Sequence, residues 1–277
     1  MNQEPAFRID PVPDDPGDLR IALREREGEV LKLWLPENIW RDPADRPELP
    51  RPTAGPIAHD TYAVLGFENE EWQATPWERT AAGGLTRVVG FADGEVRASA
   101  TPVGDDIALE LAVTNRTSEP WYDCWAEVCL RLATSPSFAD PLRERTLGRI
   151  DGRWTSLEST PLCTPDPTHN SYLTTPPVEF VKRCARDWWC DEFPVQLDHP
   201  LIAVHDRYDR GVLGIVFEPC AEYCNNLEPD YACIHSDPLL GDVEPSETAV
   251  TRGKIVYVRA SREAFLAHAS DIRPGAD

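Results

Sequence analysis

The sequence predicts an all-β protein, an antiparallel β-sandwich with one or two short helices. Three observations lead there. Apolar and polar residues alternate over short runs that recur along the 277-residue chain, which is the period of a strand with one buried face. Prolines (27) and glycines (16) are abundant, and they punctuate those runs where turns need them. Only two stretches, Val178 to Trp189 and Ser261 to Ala269, carry helix boundaries.

Residues 1–19 are rich in Pro and Asp and read as an irregular arm, followed by one sandwich domain over 20–270 and a polar tail, 271–277. Leu31, Leu33 and Leu35 alternate with Lys32 and Trp34, so a first strand is expected from Glu29 to Leu35, ended by Pro36. From Asp42 to Pro56 prolines are too dense for a regular element, and Thr61 to Phe67 is a short strand. Leu85 to Phe91, Glu95 to Thr101 and Ile107 to Thr114 form an antiparallel meander with Gly/Asp turns. Trp121 to Ala133 is aromatic and apolar enough to be buried on both faces. Asp151-Gly152 is a hairpin tip, and Pro161 to Pro177, with five prolines, a long surface loop and the best place for a boundary. Strands resume at Leu201 to His205, Val212 to Glu218, Ala232 to His235 and Ala249 to Arg259, before a helix capped by Ser261.

Composition narrows the function. With 27 Lys and Arg against 48 Asp and Glu the net charge is −21, and no Lys/Arg cluster offers a local exception. That field repels phosphate backbones and anionic lipid, which argues against nucleic-acid and membrane partners. No apolar run approaches the roughly 18 residues of a span, and the N-terminus lacks a signal pattern, so a cytoplasmic protein is expected. The eight cysteines are sparse for the length, which favours reduced thiols. Among them only Cys220 and Cys224 have zinc-like spacing, with Cys233 and His235 as further candidate ligands; no metal and no cofactor is assigned. Oligomeric state has no signature.

No G-x-S-x-G, P-loop, G-x-G-x-x-G or H-E-x-x-H motif is present. Chemistry instead concentrates in Tyr231 to Pro238. If this stretch is extended, Cys233 and His235 share one face with Asp237 while Ala232 and Ile234 take the other, and Pro238 ends the strand. An imidazole beside a carboxylate suits general acid/base work, although a half-buried histidine with Asp237 capping a turn has the same pattern. Asn225 and Asn226 suit sugar hydroxyls or a turn. Glu218 and Glu222 flank Cys220 as paired carboxylates, and His205 ends another strand. Of the nine tryptophans, Trp125 and Trp188 are candidate stacking platforms, most tryptophans being core.

The run Val96 to Asn115, closing on Val-Thr-Asn, resembles the strand-turn-strand of galactose-mutarotase-like β-sandwiches, and Gly241 to Tyr257 is similar to their return strand. The resemblance implies a supersandwich, a small-molecule carbohydrate as partner, and a histidine and a carboxylate at strand ends that transfer protons. Here those are His235 with Asp237 or Glu218. The reading is a carbohydrate-active protein with catalytic His235, Asp237 and Glu218, and substrate contacts from Asn225, Asn226, His205, Trp125 and Trp188. Its alternatives are a non-catalytic carbohydrate-binding module, or a metal-dependent sandwich using His205, Cys224, Cys233 or His235.

Overall fold

The structure, a computed structural model, describes residues 6–12, 15–42, 63–65, 73–164, 169–182, 190 and 192–275. The chain opens with β1 (Phe7–Val12), β2 (Asp15–Leu23) and β3 (Val30–Asp42), so the expected arm contains a strand and the start of another. Pro11 is tolerated because β1 is an edge strand, where ladder hydrogen bonds are needed on one side only, and Pro16 of β2 falls outside the registers that pair with β1 and β3. β3 also runs past Pro36. It does so because the pairing shifts register there, between Trp34 and Asn38, and an N–H is not called for at that point. Short pieces β4 (Ala63–Leu65), β5 (Gln73–Ala74) and β6 (Glu78–Arg79) follow.

The meander is as expected: β7 (Leu85–Phe91), β8 (Gly94–Val103) and β9 (Asp106–Asn115). Next come β10 (Trp121–Arg131) and the hairpin β11 (Thr146–Ile150) and β12 (Arg153–Ser156), turned at Asp151-Gly152 where both residues have positive φ. The supposed loop 161–177 contains β13 (His169–Thr174), which pairs with β14 (Gln196–Leu197). A disulfide joins Cys163 to Cys190, correcting the expectation of reduced thiols throughout, while Cys124, Cys129, Cys220, Cys224 and Cys233 are free. Of the expected helix 178–189, Val178 is not helical and residues 179–182 are; residues 183–189, Trp188 among them, and residues 43–56 lie outside the described residues. The chain finishes with β15 (Leu201–His205), β16 (Val212–Phe217), β17 (Cys220–Asn226), β18 (Cys233–Val243), β19 (Thr248–Val258) and a short helix, Arg262–Leu266, whose Ser261 hydroxyl accepts from Ala264 N–H. Pro238 does not end β18: it sits where the β17 register shifts, so the missing donor is not needed.

Two sheets result. The first runs β1-β2-β3-β10-β18-β17-β13-β14 with β4 on β3, and the second β12-β11-β15-β16-β19-β9-β8-β7-β5 with β6 on β7. Apart from the β13–β14 pair, the pairings are antiparallel. Alternate residues of both meet in one core: Leu33, Val128, Leu130 and Ile234 from the first, Leu109, Leu111, Val113, Ile215 and Ile255 from the second. Gly253 on β19 permits close approach here, since a Cβ would lie 2.5 Å from the Phe217 ring.

One end of the sandwich is tied by charge. Arg26, in the β2–β3 turn, meets the fully buried Asp206 at 2.5 Å across the two sheets. Its guanidinium also lies against the rings of Phe138 and Tyr257. Burial pushes the Asp206 carboxyl up, but hydrogen bonds from Arg26 and from the Tyr208 and Arg210 N–H groups outweigh it and hold it below its usual 3.8. A depressed carboxyl stabilises the fold above the unfolded value and stops doing so as pH falls through the folded one. Asp206→Asn should therefore cost about 3 kcal/mol at pH 7 in urea unfolding. The gap to the wild type should narrow as pH drops below about 4; a constant gap would mean that shape, not charge, matters here.

Candidate functional site

The outer face of the first sheet carries an open hollow of about 120 Å³, lined from β3, β10, β18, β17 and β13. Strand alternation builds it. On β10, Val128 and Leu130 enter the core, so Glu127, Cys129 and Arg131 face outward. On β18, Ile234 is in the core and Cys233, His235 and Asp237 line the hollow; on β17, Tyr223 is inward and Glu222, Cys224 and Asn226 are outward. Register aligns these side chains in rows. One row is Trp34, Cys129, His235, Cys224 and Ser171, directly opposite one another across five strands. Beside it run Lys32, Arg131, Cys233 and Asn226.

The third row is where the ladder opens. Pairing of β10 with β18 passes from Trp125↔Leu239 to Cys129↔His235, four residues on each strand, so Glu127 faces Asp237. In that gap the Val128 N–H donates to Asp237 Oδ1 at 2.8 Å. Asp237 in turn pairs with Glu222 on β17, while the Glu127 carboxylate accepts from the Asn38 amide of β3. The register shift around Pro36 brings Glu37 into the same space. Over the rim, Arg131 stacks on Trp34 at 4.8 Å and on Tyr231 at 5.2 Å, and Tyr231 is half exposed.

So many buried ionisable groups shift one another. Burial pushes the Glu37 carboxyl up to about 8, with Glu127 adding to it and His235 opposing. Burial and the neighbouring Asp237 take Glu127 to about 7. Burial raises Asp237 as well, against the pull of His235 and the Val128 N–H. Donation from Cys129 and the imidazole of His235 draws Cys233 well below an ordinary thiol. Burial disfavours the His235 imidazolium, but the Cys233 sulfur and Asp237 outweigh it and hold the ring well above its usual value. His235 is 7% exposed; its Nε2 lies 3.2 Å from Cys233 Sγ and its Nδ1 3.5 Å from Asp237 Oδ1. Both nitrogens thus face protein groups. The ligand atoms of Cys129, Cys233 and His235 all fall within 4.8 Å of one another, the group among the described residues placed to hold a metal ion.

Of the residues expected from sequence, His235, Asp237 and Asn226 meet in the hollow, and Asn226 Oδ1 accepts from the Glu228 N–H. Asn225 does not, because alternation turns it to the opposite face from Cys224 and Asn226, where it is buried. Trp125 is fully buried, stacked on Trp40 at 5.8 Å beneath Phe180 and Val181, a small apolar cluster rather than a platform. Glu218 follows β16 at the surface and pairs with Arg273 at 3.3 Å. His205 ends β15 in the other sheet, with Nδ1 near the Asp206 carbonyl at 3.2 Å. Neither Glu218 nor His205 lines the hollow. Residues not anticipated are Trp34, Glu37, Glu127, Cys129, Arg131 and Ser171. A signal for three of them exists: Glu127, Cys129 and Arg131 take every second position between Ala126, Val128, Leu130 and Leu132.

Comparison with solved structures gives the fold. The chain is similar to a galactose mutarotase-like protein from Clostridium acetobutylicum, with TM-score 0.50, 10% identity, and coverage of 92% of this chain and 93% of that one. It is also similar to a glycosyl hydrolase family 38 protein from Enterococcus faecalis (TM-score 0.48, 11% identity, 97% of this chain and 31% of that one). A third similarity is to an α-N-acetylgalactosaminidase from Bifidobacterium bifidum in complex with GalNAc (TM-score 0.45, 13% identity, 90% of this chain and 34% of that one). No protein-family model and no curated protein matches. The sandwich has the mutarotase-like fold that the Val96 to Asn115 resemblance implied.

Glu37 yields a test of the electrostatics. Its folded value near 8 lies above the usual 4.5, so between those limits the folded state keeps a proton that the unfolded chain releases. Stability therefore falls as pH rises through that window. In chelator-containing buffer the wild type should lose more stability between pH 5 and 8 than Glu37→Gln, measured by urea midpoints. Parallel losses would show that Glu37 ionises freely in the fold.

Proposed function

We propose that the chain binds a small carbohydrate in this hollow and moves a proton on it. The observation that carries the reading is the pairing of an aromatic rim, Trp34 and Tyr231, with a lining of four carboxyl groups, Glu37, Glu127, Glu222 and Asp237. Sugars combine an apolar ring face with a fringe of hydroxyls, and this is the complementary arrangement: flat rings to stack on and acceptors to orient the hydroxyls. Asn226 and Ser171 add neutral polar groups to the lining. The shared mutarotase-like fold is consistent with this but does not by itself assign an activity.

Proton transfer is assigned to carboxyl groups rather than to the buried His235, whose Nε2 lies 3.2 Å from Cys233 Sγ and whose Nδ1 faces Asp237 Oδ1 at 3.5 Å. Glu37, kept protonated at neutral pH by its burial, is the donor. Glu222 is the acceptor. It stands on β17, separated from β3 by β10 and β18, so the two backbones are about 14 Å apart at normal strand spacing.

A panel of mono- and disaccharides, screened by calorimetry for binding and by NMR for exchange of anomers or epimers, tests this. For a sugar that is turned over, Glu37→Gln should lower the rate by about a hundredfold or more with little change in affinity. Trp34→Ala should weaken binding by about tenfold. Binding without turnover by the wild type would make the chain a binding module, and absence of binding across the panel would end the carbohydrate reading.

A further inference from the structure

We propose that Cys129, Cys233 and His235 form a zinc site in the wall of the hollow, with three protein ligands and a fourth coordination position open to the hollow. The inference goes beyond the carbohydrate reading and does not depend on it.

Geometry comes first. The two Sγ atoms and an imidazole nitrogen lie within 4.8 Å of one another, with Cys233 Sγ to His235 Nε2 at 3.2 Å. Tetrahedral zinc with bonds of about 2.3 Å to sulfur and 2.0 Å to nitrogen holds its ligand atoms roughly 3.5–3.8 Å apart. The three groups are therefore already near a metal-binding separation, and small side-chain rotations complete it. Their backbone is fixed: Cys233 and His235 are two apart on β18 with Ile234 anchored in the core between them, and Cys129 stands directly opposite His235 on β10.

The surroundings support the same conclusion. Asp237 Oδ1 faces His235 Nδ1 at 3.5 Å, the outer-sphere carboxylate that orients a ligating imidazole and leaves Nε2 for the ion. A buried cysteine that serves as a small hydrophobe has apolar neighbours. Cys124 is such a residue, packed into the main core, whereas Cys129 and Cys233 line a hollow with carboxyl groups and an imidazole. Two thiolates and an imidazole are soft to borderline donors, which select zinc over magnesium or calcium. Three protein ligands with a vacancy on a cavity is the arrangement of a catalytic zinc rather than a structural one. The vacancy would accept water or a substrate oxygen.

The protein, purified under reducing conditions without chelator and without added metal, should contain about one zinc per chain by elemental analysis. After chelation and reconstitution with cobalt, it should show thiolate-to-cobalt charge transfer and the strong visible bands of four-coordinate cobalt. Added azide should shift those bands if the fourth position is open. Cys233→Ser and Cys129→Ser should each lose the charge-transfer intensity of one thiolate, while Cys220→Ala, outside the cluster, should keep the wild-type spectrum. The proposal is overturned if neither the purified nor the zinc-reconstituted wild type holds stoichiometric metal. It is likewise overturned if cobalt gives no charge transfer, or if Cys129 and Cys233 are joined by a disulfide that survives as the stable form under reductant. Because each readout is taken without sugar, failure of the carbohydrate screen leaves this result standing, and the reverse holds too.

Discussion

Many of the polar side chains of the hollow are held by an apolar residue next to them in the same strand. Ile234 fixes Cys233 and His235, Val128 and Leu130 fix Glu127, Cys129 and Arg131, and Tyr223 fixes Glu222 and Cys224. A one-residue slip of any of these strands would exchange the two faces, putting carboxylates into the core and leucines into the hollow. The cost of burying even one of those carboxylates unpaired exceeds what most single contacts return. The inter-sheet core is thus the device that sets site geometry, and the second sheet, which contributes no lining residue, serves the hollow by pressing on the opposite side of the first.

Local pattern made much of the fold readable. The meander β7 to β9, the β11–β12 hairpin and strands β15, β16 and β19 all announce themselves by alternation and Gly/Asp turns. What escaped was of another kind. β1 and β2 carry prolines and aspartates, β13 begins with His-Asn-Ser, and β17 ends in Asn-Asn, all of which read as turns when taken alone. They are strands because neighbours from distant parts of the chain complete their ladders, and tertiary pairing overrides weak local propensity.

The site divides along the same line. Tyr231 to Asp237 was legible because a two-residue period is a property of one segment, and Cys233, His235 and Asp237 do share a face. Their partners were not, because which residue stands opposite His235 is a question of register between β10, β18 and β17. Proximity in sequence misled where it substituted for register. Asn225 adjoins Asn226 and Glu218 is four residues from Glu222, yet alternation and the β16–β17 turn send Asn225 and Glu218 elsewhere.

Pro36 and Pro238 show how the hollow is opened within an otherwise continuous sheet. Both look like strand terminators, and both lie inside strands at shifts of register. A residue without an N–H cannot complete a regular ladder, so the backbone of a neighbour is released for another partner. Beside Pro238 the interrupted β10–β18 pairing leaves the Val128 N–H to the Asp237 carboxylate, and beside Pro36 the shifted register delivers Glu37 to the cavity. The two interruptions flank the row in which Glu127 faces Asp237. A regular ladder through that row would satisfy the backbone with backbone and leave the carboxylates without their fixed donors. In this sheet the irregularities are the means by which acidic groups are seated, and the regular strands on either side keep those groups from moving.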